Sequence, residues 1–127
     1  MWILFDIGGT KTRIAVTRRG EMPVETAIKI IETPKLLADA KSVFAENIIA
    51  LTDGEKVRGV VVGIAGTLNP QRTTLTASTH LPDWAGKDLH AFFKELTGAK
   101  KVLIENDAAL VGLGEAHYGA GVGKRII

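Results

Sequence analysis

A glycine pair near the amino terminus is flanked by residue types that bind phosphate. Residues 6–12 are Asp-Ile-Gly-Gly-Thr-Lys-Thr. Phosphate oxygens need several donors that converge on one point, and glycines let backbone N–H groups approach closely and adopt positive φ. Hydroxyls add donors, a lysine adds positive charge, and the carboxylate of Asp6 could hold a hydrated magnesium ion. The candidate phosphate donors are Gly8, Gly9, Thr10, Lys11 and Thr12.

The same segment is also consistent with a plain hairpin in which the two glycines only form the turn. Short glycine motifs often match by chance, so the residue types alone leave both interpretations open. The segment is not a Walker A loop. It is not a dinucleotide-binding fingerprint either, because its glycine spacing differs and a strand follows it instead of a helix.

A second polar cluster, Glu105-Asn106-Asp107, lies between a short apolar run and a predicted helix. In α/β sheets ligands bind beyond the carboxyl ends of the strands, so this position favours a functional site. Asp107 is also a natural N-cap residue, and a structural cap is the alternative interpretation. Strand alternation predicts that Glu105 faces the opposite side of the sheet from Asn106.

Two further segments have residue types that suit a ligand. Residues 63–67 are Gly-Ile-Ala-Gly-Thr at the end of a buried run, where glycines permit a tight turn or a ligand against the backbone. Residues 80–84 are His-Leu-Pro-Asp-Trp. The ring of Trp84 suits the apolar face of a sugar, although a single tryptophan is more often part of a core.

The elements that position these residues follow from the hydrophobic periodicity. Three apolar runs around turn residues predict a three-stranded antiparallel meander at residues 2–7, 12–18 and 24–31. Continuous apolar runs predict buried parallel strands at residues 57–64 and 102–104. Helical spacing predicts helices at residues 35–51, 87–96 and 108–117, and residues 67–78 form a small hairpin or loop.

Local signals set the predicted helix ends. Thr33-Pro34 predicts an N-cap with proline in the first turn of the first helix, and Asp53-Gly54 ends it. Gly98 ends the second helix. The order β-β-β-α-β-α-β-α indicates an α/β domain with a mixed sheet and flanking helices.

Composition bounds the function. The 127 residues suffice for one domain, and an apolar fraction of 46% with 24% charged residues is typical of a soluble globular protein. A net charge of +2 gives no support for nucleic-acid binding, and no run is long enough to span a membrane. The chain has no cysteine, which excludes thiolate metal sites, and a cytoplasmic location is the expectation.

Taken together and in this order, the four segments resemble the N-terminal lobe of the ROK family of sugar kinases and repressors. The resemblance runs from Trp2 to about Gly123 and includes Leu81-Pro82-Asp83-Trp84 beside a usual Asn-Leu-Pro-Gly-Trp. It implies a ribonuclease H-like domain of the actin-like ATPase type. It also implies that residues 1–127 are one lobe, with the C-terminal lobe absent, of a protein that is a homo-oligomer at full length.

The resemblance implies roles for the candidate residues. Asp107 is the general base and binds the sugar together with Asn106 and Gly66. Asp6 helps to hold magnesium through water, and the turn at residues 8–12 faces the β- and γ-phosphates of ATP. The implied reaction is transfer of the γ-phosphoryl group of ATP to a hydroxyl of glucose or an N-acetylated hexosamine, which needs mostly positioning and charge stabilisation from the protein. The chain alone is then expected to be inactive.

Two observations qualify this resemblance. His80 and Asp83 replace the usual Asn and Gly of the fourth segment, which leaves the identity of the sugar open. The alternative function is a sugar-responsive transcriptional regulator of the same family. Such regulators usually carry a helix-turn-helix segment before the phosphate motif, whereas here the motif begins at Trp2, and the presence of Asp107 also favours the kinase.

Overall fold

A computed structural model describes residues 1–17 and 28–106 of the chain. These residues contain seven strands, two α-helices and one 3₁₀ turn. In chain order they are β1 (Trp2–Ile7), β2 (Lys11–Thr17), β3 (Ile28–Glu32), α1 (Leu37–Thr52), β4 (Gly59–Ile64), β5 (Thr67–Leu68), β6 (Leu75–Ala77), the 3₁₀ turn (Pro82–Trp84), α2 (Leu89–Thr97) and β7 (Lys101–Asn106). The predicted helix at residues 108–117 and the first residues of the third predicted strand lie outside the described residues.

Five strands form one mixed sheet in the order β3-β2-β1-β4-β7. β2 pairs antiparallel with β1 and with β3, whereas β4 pairs parallel with β1 and with β7. The predicted strand at residues 57–64 is confirmed inside the sheet and begins at Gly59. The remaining strands, β5 and β6, form a small separate hairpin at the position predicted for one.

The two helices cover one face of the sheet. The connections β3-α1-β4 and β4-α2-β7 advance across the sheet in the same direction, so the right-handed crossover rule puts both helices on the same side. Period-two alternation supplies that side with fully buried apolar residues. Phe5 of β1 lies 5.1 Å from the ring of Phe44 in α1 and 5.0 Å from the ring of Phe93 in α2. An aromatic cluster therefore forms the centre of the core.

Trp84 completes this cluster and is not a sugar platform. Its side chain is fully buried, its ring lies 6.1 Å from that of Phe44, and its Nε1 donates to the carbonyl oxygen of Pro34 at 3.1 Å. Of the two interpretations of this tryptophan, the structure supports the core residue. Among the residues that the structure describes, no helix is long and apolar enough to cross a membrane.

The start of α1 differs from the prediction. The predicted cap at Thr33 is wrong, because α1 begins at Leu37 and its preceding residue, Leu36, makes no side-chain cap. The Leu37 N–H donates instead to Oδ2 of Asp83 at 2.8 Å, so a residue from the 3₁₀ turn satisfies one of the free N–H groups of the helix. A carboxylate also interacts favourably with the positive end of the helix dipole.

The other helix ends agree with the sequence signals. Asp53 ends α1 in the left-handed conformation, with its N–H donated to the Ile49 carbonyl at 3.0 Å, and Gly54 follows with φ of 80°. Gly98 ends α2 with φ of 70°. Asp88 caps α2 through a bond from the Ala91 N–H at 2.9 Å.

We expect the charge of Asp83 to stabilise the fold at neutral pH. The pKa of Asp83 lies below its usual 3.8, first because the Leu37 N–H donates to the carboxylate and second because Lys87 Nζ donates at 3.0 Å. A lowered pKa means that this stabilisation is complete above the usual value and is lost as the pH falls through the folded value. Asp83→Asn keeps an oxygen acceptor but removes the charge. Its melting temperature should fall below that of the unsubstituted chain at pH 7, and the difference should shrink at acid pH, as Asp83 itself becomes protonated.

Asp83→Ala serves as the control for the cap itself, because it removes the acceptor as well as the charge. It should melt below Asp83→Asn at both pH values. A melting-temperature difference between the unsubstituted chain and Asp83→Asn that stays constant from neutral to acid pH would show that the charge contributes nothing.

Candidate functional site

The turn between β1 and β2 is fixed by its carbonyl groups. Thr33 donates from Oγ1 to the Gly8 carbonyl at 2.8 Å and from its backbone N–H to the Thr10 carbonyl at 2.9 Å. Lys35 Nζ donates to the Gly9 carbonyl at 2.6 Å. Three successive carbonyl groups of the turn are therefore bound by one segment, residues 33–35.

The amide groups of the same turn remain available. Within residues 1–17 and 28–106, the N–H groups of Gly9 and Thr10 donate to no acceptor, whereas the Gly8 N–H closes the hairpin on the Lys11 carbonyl at 2.9 Å. The side chains of Thr10 and Lys11 are exposed. Free amides, a hydroxyl and an ammonium group at one turn are donors that suit the oxygens of a phosphate.

Thr12 lies below the turn and not on its surface. Its side chain is fully buried, with Oγ1 2.7 Å from Oγ1 of Thr33. Thr33 has one hydroxyl proton and donates it to Gly8, so the bond between the two threonines must use the proton of Thr12. In this structure Thr12 therefore supports the turn through Thr33, and a direct bond from Thr12 to phosphate stays a prediction.

The two glycines are needed for space. Neither Gly8 nor Gly9 lies in the left-handed region, so the turn does not use the positive φ that glycine permits. A Cβ atom added to Gly9 would lie 2.4 Å from Cβ and 2.7 Å from Cγ of His80, and one added to Gly8 would lie 3.1 Å from the Lys11 carbonyl oxygen. The side chain of His80 occupies the space above Gly9, so only glycine fits at this position of the turn.

Three segments thus contact one another in pairs: residues 8–10, 33–37 and 80–84. We call them the three-segment cluster. The first two share the carbonyl bonds of the turn, the second and third share the bonds from Trp84 to Pro34 and from Leu37 to Asp83, and the third meets the first at His80 and Gly9. Each segment is therefore positioned by both of the others.

Asp6 lies at the end of β1 on the face that the helices do not cover. Its neighbours in register are Arg13 of β2 and Gly63 of β4, and the missing side chain at Gly63 leaves space beside the carboxylate. The carboxylate is half-buried and accepts no hydrogen bond within the part of the chain that the structure describes. An oxygen ligand without a partner beside the free amides of the turn fits a hydrated magnesium ion.

Gly66 and Asn106 line one polar cavity of about 420 Å³ at the carboxyl ends of β4 and β7. Gly66 has φ of 132°, and a Cβ there would lie 2.8 Å from the Ala77 carbonyl oxygen, so this close turn also requires glycine. Asn106 is the last residue of β7 and pairs in register with Ile64, on the helix-covered face. Glu105 faces the opposite side, as predicted, and forms an ion pair with Arg72 of the β5–β6 hairpin. Asp107 lies outside the described residues.

Sequence reasoning missed the residues that support this site from a distance. They are Thr33, Lys35, Arg72 and His80. Each lies 25 or more residues from its partner at Gly8, Gly9 or Glu105 along the chain. No local pattern marks such contacts, because they exist only once the sheet has brought the segments together.

The contact between His80 and Gly9 predicts a specific rescue. Gly9→Ala should lower the free energy of unfolding by about 1–3 kcal/mol, the usual cost of forcing an atom into filled space. His80→Gly in the same chain should recover most of this loss. His80→Ala should recover less, because its Cβ remains 2.4 Å from the new methyl group. Denaturant unfolding of the single and double variants measures the interaction.

The matched controls are His80→Gly and His80→Ala with Gly9 unchanged, which correct for the effect of each substitution at the exposed residue 80 itself. Equal stability of Gly9→Ala and the unsubstituted chain would contradict the contact.

The chain is similar to proteins of a known family. The family model described as the ROK family matches residues 3–126. A glucokinase of Thermotoga maritima is 33% identical over 120 residues, which are 93% of this chain and 37% of that protein. The chain therefore spans little more than a third of the length of this relative.

Solved structures show the same fold. A ROK family glucokinase from Streptomyces griseus in complex with glucose and AMPPNP has a TM-score of 0.80 and 27% identity, covering 95% of this chain and 38% of that one. A ROK hexokinase from Thermus thermophilus has a TM-score of 0.80 and 26% identity, covering 95% and 40%. The mixed α/β sheet is thus that of the ROK kinases, which have the actin-like ATPase fold. On the match over residues 3–126, the chain belongs to the ROK family.

Proposed function

We propose that the chain is the N-terminal lobe of an ATP-dependent hexose kinase, which transfers the γ-phosphoryl group of ATP to a sugar hydroxyl. Glucose is the first sugar to test, because the similar Thermotoga maritima protein is a glucokinase and the similar Streptomyces griseus structure contains glucose. An N-acetylated hexosamine is the second. A further lobe would complete the site, since the chain spans only 37% of the glucokinase.

The observation that carries this proposal is that the turn at residues 8–12, which we call the phosphate turn, and the cavity with Gly66 and Asn106 lie at the same edge of the sheet. Ile7, Ile64 and Asn106 are paired in register across β1, β4 and β7. The phosphate turn follows Ile7, and the cavity with Gly66 lies beyond Ile64 and Asn106. Neighbouring strands are about 4.8 Å apart, so the cavity begins about 5 to 10 Å from the turn, one strand away at β4 and two strands away at β7. That spacing suits a phosphate donor and a sugar acceptor bound side by side.

Within this proposal the residues have separate tasks. Gly9 and Thr10 donate backbone N–H groups to the phosphates, and Lys11 and Lys35 add positive charge around the turn. Asp6 would hold magnesium through water, and the ion would neutralise charge on the β- and γ-phosphate oxygens. Phosphoryl transfer needs little covalent help, so fixed donors of this kind account for much of the catalysis.

Asp107 follows Asn106 directly and is proposed as the general base. A carboxyl with a usual pKa of about 3.9 is ionised at neutral pH and can accept the proton of the attacking hydroxyl. Asn106 and Gly66 would contact the sugar from the cavity wall, which they share. The register of β7 supports this arrangement, because Asn106, the residue before Asp107, lies at the same edge of the sheet as Ile7, which precedes the turn.

The test is phosphotransfer by the chain joined to a second lobe, measured as ADP release with glucose, mannose and N-acetylglucosamine. In that protein Asp107→Asn should lower kcat by a factor of about 10² to 10⁴, because an amide cannot accept the hydroxyl proton. The melting temperature should change little, since Asn and Asp cap helices about equally well. Sugar affinity should also change little, because the amide can still bond to hydroxyls.

Asp107→Ala is the control that removes the cap together with the base, and it should lower both activity and stability, the latter by about 0.5–2 kcal/mol. The 127-residue chain alone should show no turnover, because part of the nucleotide site would be missing. An Asp107→Asn protein that melts like the parent and turns over within a few-fold of it would remove the catalytic assignment. Sugar binding without turnover by the two-lobed parent would favour the regulator.

A further inference from the structure

The cavity that contains Gly66 and Asn106 has a charged pair in its wall. Arg72 and Glu105 both line it, and Nη1 of Arg72 bonds to Oε1 of Glu105. The side chain of Glu105 is only 12% exposed, whereas that of Arg72 is 57% exposed. The side chain of Glu105 is therefore mostly buried, whereas much of its partner remains accessible to solvent.

This pair differs from the other ion pairs in the described ranges. The pair of Lys41 and Glu95 lies on the surface, with both side chains more than half exposed. The pair of Lys87 and Asp83 belongs to the cap of α1. Only in the Arg72–Glu105 pair, among those within residues 1–17 and 28–106, is the carboxylate mostly buried and in the wall of a cavity.

The backbone of the β5–β6 hairpin is built to hold Arg72 in place. Arg72 has φ of 57°, a left-handed backbone conformation that residues other than glycine rarely adopt. Its N–H donates to the Asn69 carbonyl at 2.9 Å, and Oδ1 of Asn69 accepts from the N–H groups of Thr73 at 2.8 Å and Thr74 at 3.1 Å. Such strain persists only where surrounding bonds impose it, and it is concentrated at functional sites.

Within the described part of the chain, the pair adds no net charge to the cavity wall. The other described residues of the wall carry no charge: Gly66, Thr67, Leu68, Asn69, Pro70 and Asn106. The negative charge of Glu105 and the positive charge of Arg72 cancel. If either charge lost its partner, it would attract a ligand of the opposite sign.

We infer that the Arg72–Glu105 pair helps to determine which hexoses the cavity accepts: Arg72 cancels the charge of Glu105 and so lowers the affinity for amino sugars relative to glucose, and Glu105 cancels the charge of Arg72 and so lowers the affinity for sugar acids. The inference rests on the proposed function, because it takes the cavity to be the sugar site. Arg72 and Glu105 act here as specificity-determining residues and take no part in phosphoryl transfer.

The experiment uncouples the two charges. Binding of glucose, glucosamine and glucuronate to the chain joined to a second lobe is followed by NMR titration at a pH of about 6, where an amine is protonated and a carboxyl is ionised. Arg72→Met should raise the affinity for glucosamine relative to glucose, and Glu105→Gln should raise that for glucuronate relative to glucose. We expect each ratio to change by about fivefold, which corresponds to an interaction of about 1 kcal/mol between charges near a wet surface.

The double variant Arg72→Met with Glu105→Gln removes both charges of the pair, so neither is left without a partner. Its affinity ratios should return to those of the unsubstituted chain. Lys41→Met and Glu95→Gln are the matched controls, because they make the same charge changes in the exposed pair and should leave the ratios unchanged. Melting temperatures identify a variant that fails to fold. If Arg72→Met fails to fold because the mostly buried Glu105 has lost its partner, the Glu105→Gln variant alone provides the test.

The outcomes separate the inference from the proposed function. If the unsubstituted two-lobed protein binds glucose and the ratios stay the same in both single variants, the inference is overturned and the sugar site stands. Equal changes in the Lys41 and Glu95 controls would also overturn it, since the effect would then reflect net charge. If the unsubstituted two-lobed protein binds none of the three sugars, the sugar half of the proposed function fails and the inference fails with it.

Discussion

The hydroxyl group of Thr33 is the contact on which the rest of the site depends. It accepts a hydrogen bond from the Thr12 hydroxyl and donates one to the Gly8 carbonyl, so the direction of both bonds is fixed. Thr33 is buried, and breaking either bond would leave a polar group without a partner away from water. The core side of β2 and the turn above it are therefore joined through one side chain, and the turn holds its shape without unusual glycine dihedrals.

The two halves of the site differ in their electrostatics. Around the turn, Lys11 and Lys35 are exposed, and Glu32 of β3 is the register partner of Lys11. In the cavity, the mostly buried carboxylate of Glu105 is matched by the guanidinium of Arg72. One half of the site therefore offers exposed ammonium groups and amide donors, and the other half has an ion pair in its wall.

Much of the architecture could be predicted from the sequence, because the signals for strands and helices are local. Alternation identified β1 and β2, the apolar run identified β4, and the glycines at the ends of α1 and α2 were correct. The cap at Thr33 failed for a physical reason: its hydroxyl is committed to the turn, and the carboxylate that replaces it comes from another segment. The contact of His80 with Gly9 was not predictable, since it depends on how the sheet and the 3₁₀ turn pack.

The cap of α1 depends on a residue that is synthesised well after the helix itself. The Leu37 N–H finds its acceptor on Asp83, 46 residues later, and the next residue, Trp84, fills the core against Phe44 of the same helix. During synthesis the ribosome releases α1 well before these partners exist. The amino end of the helix therefore stays incomplete until the 3₁₀ turn has emerged, and β1, α1 and the 3₁₀ turn reach their final state together. Such long-range closure slows folding relative to a domain built from local contacts.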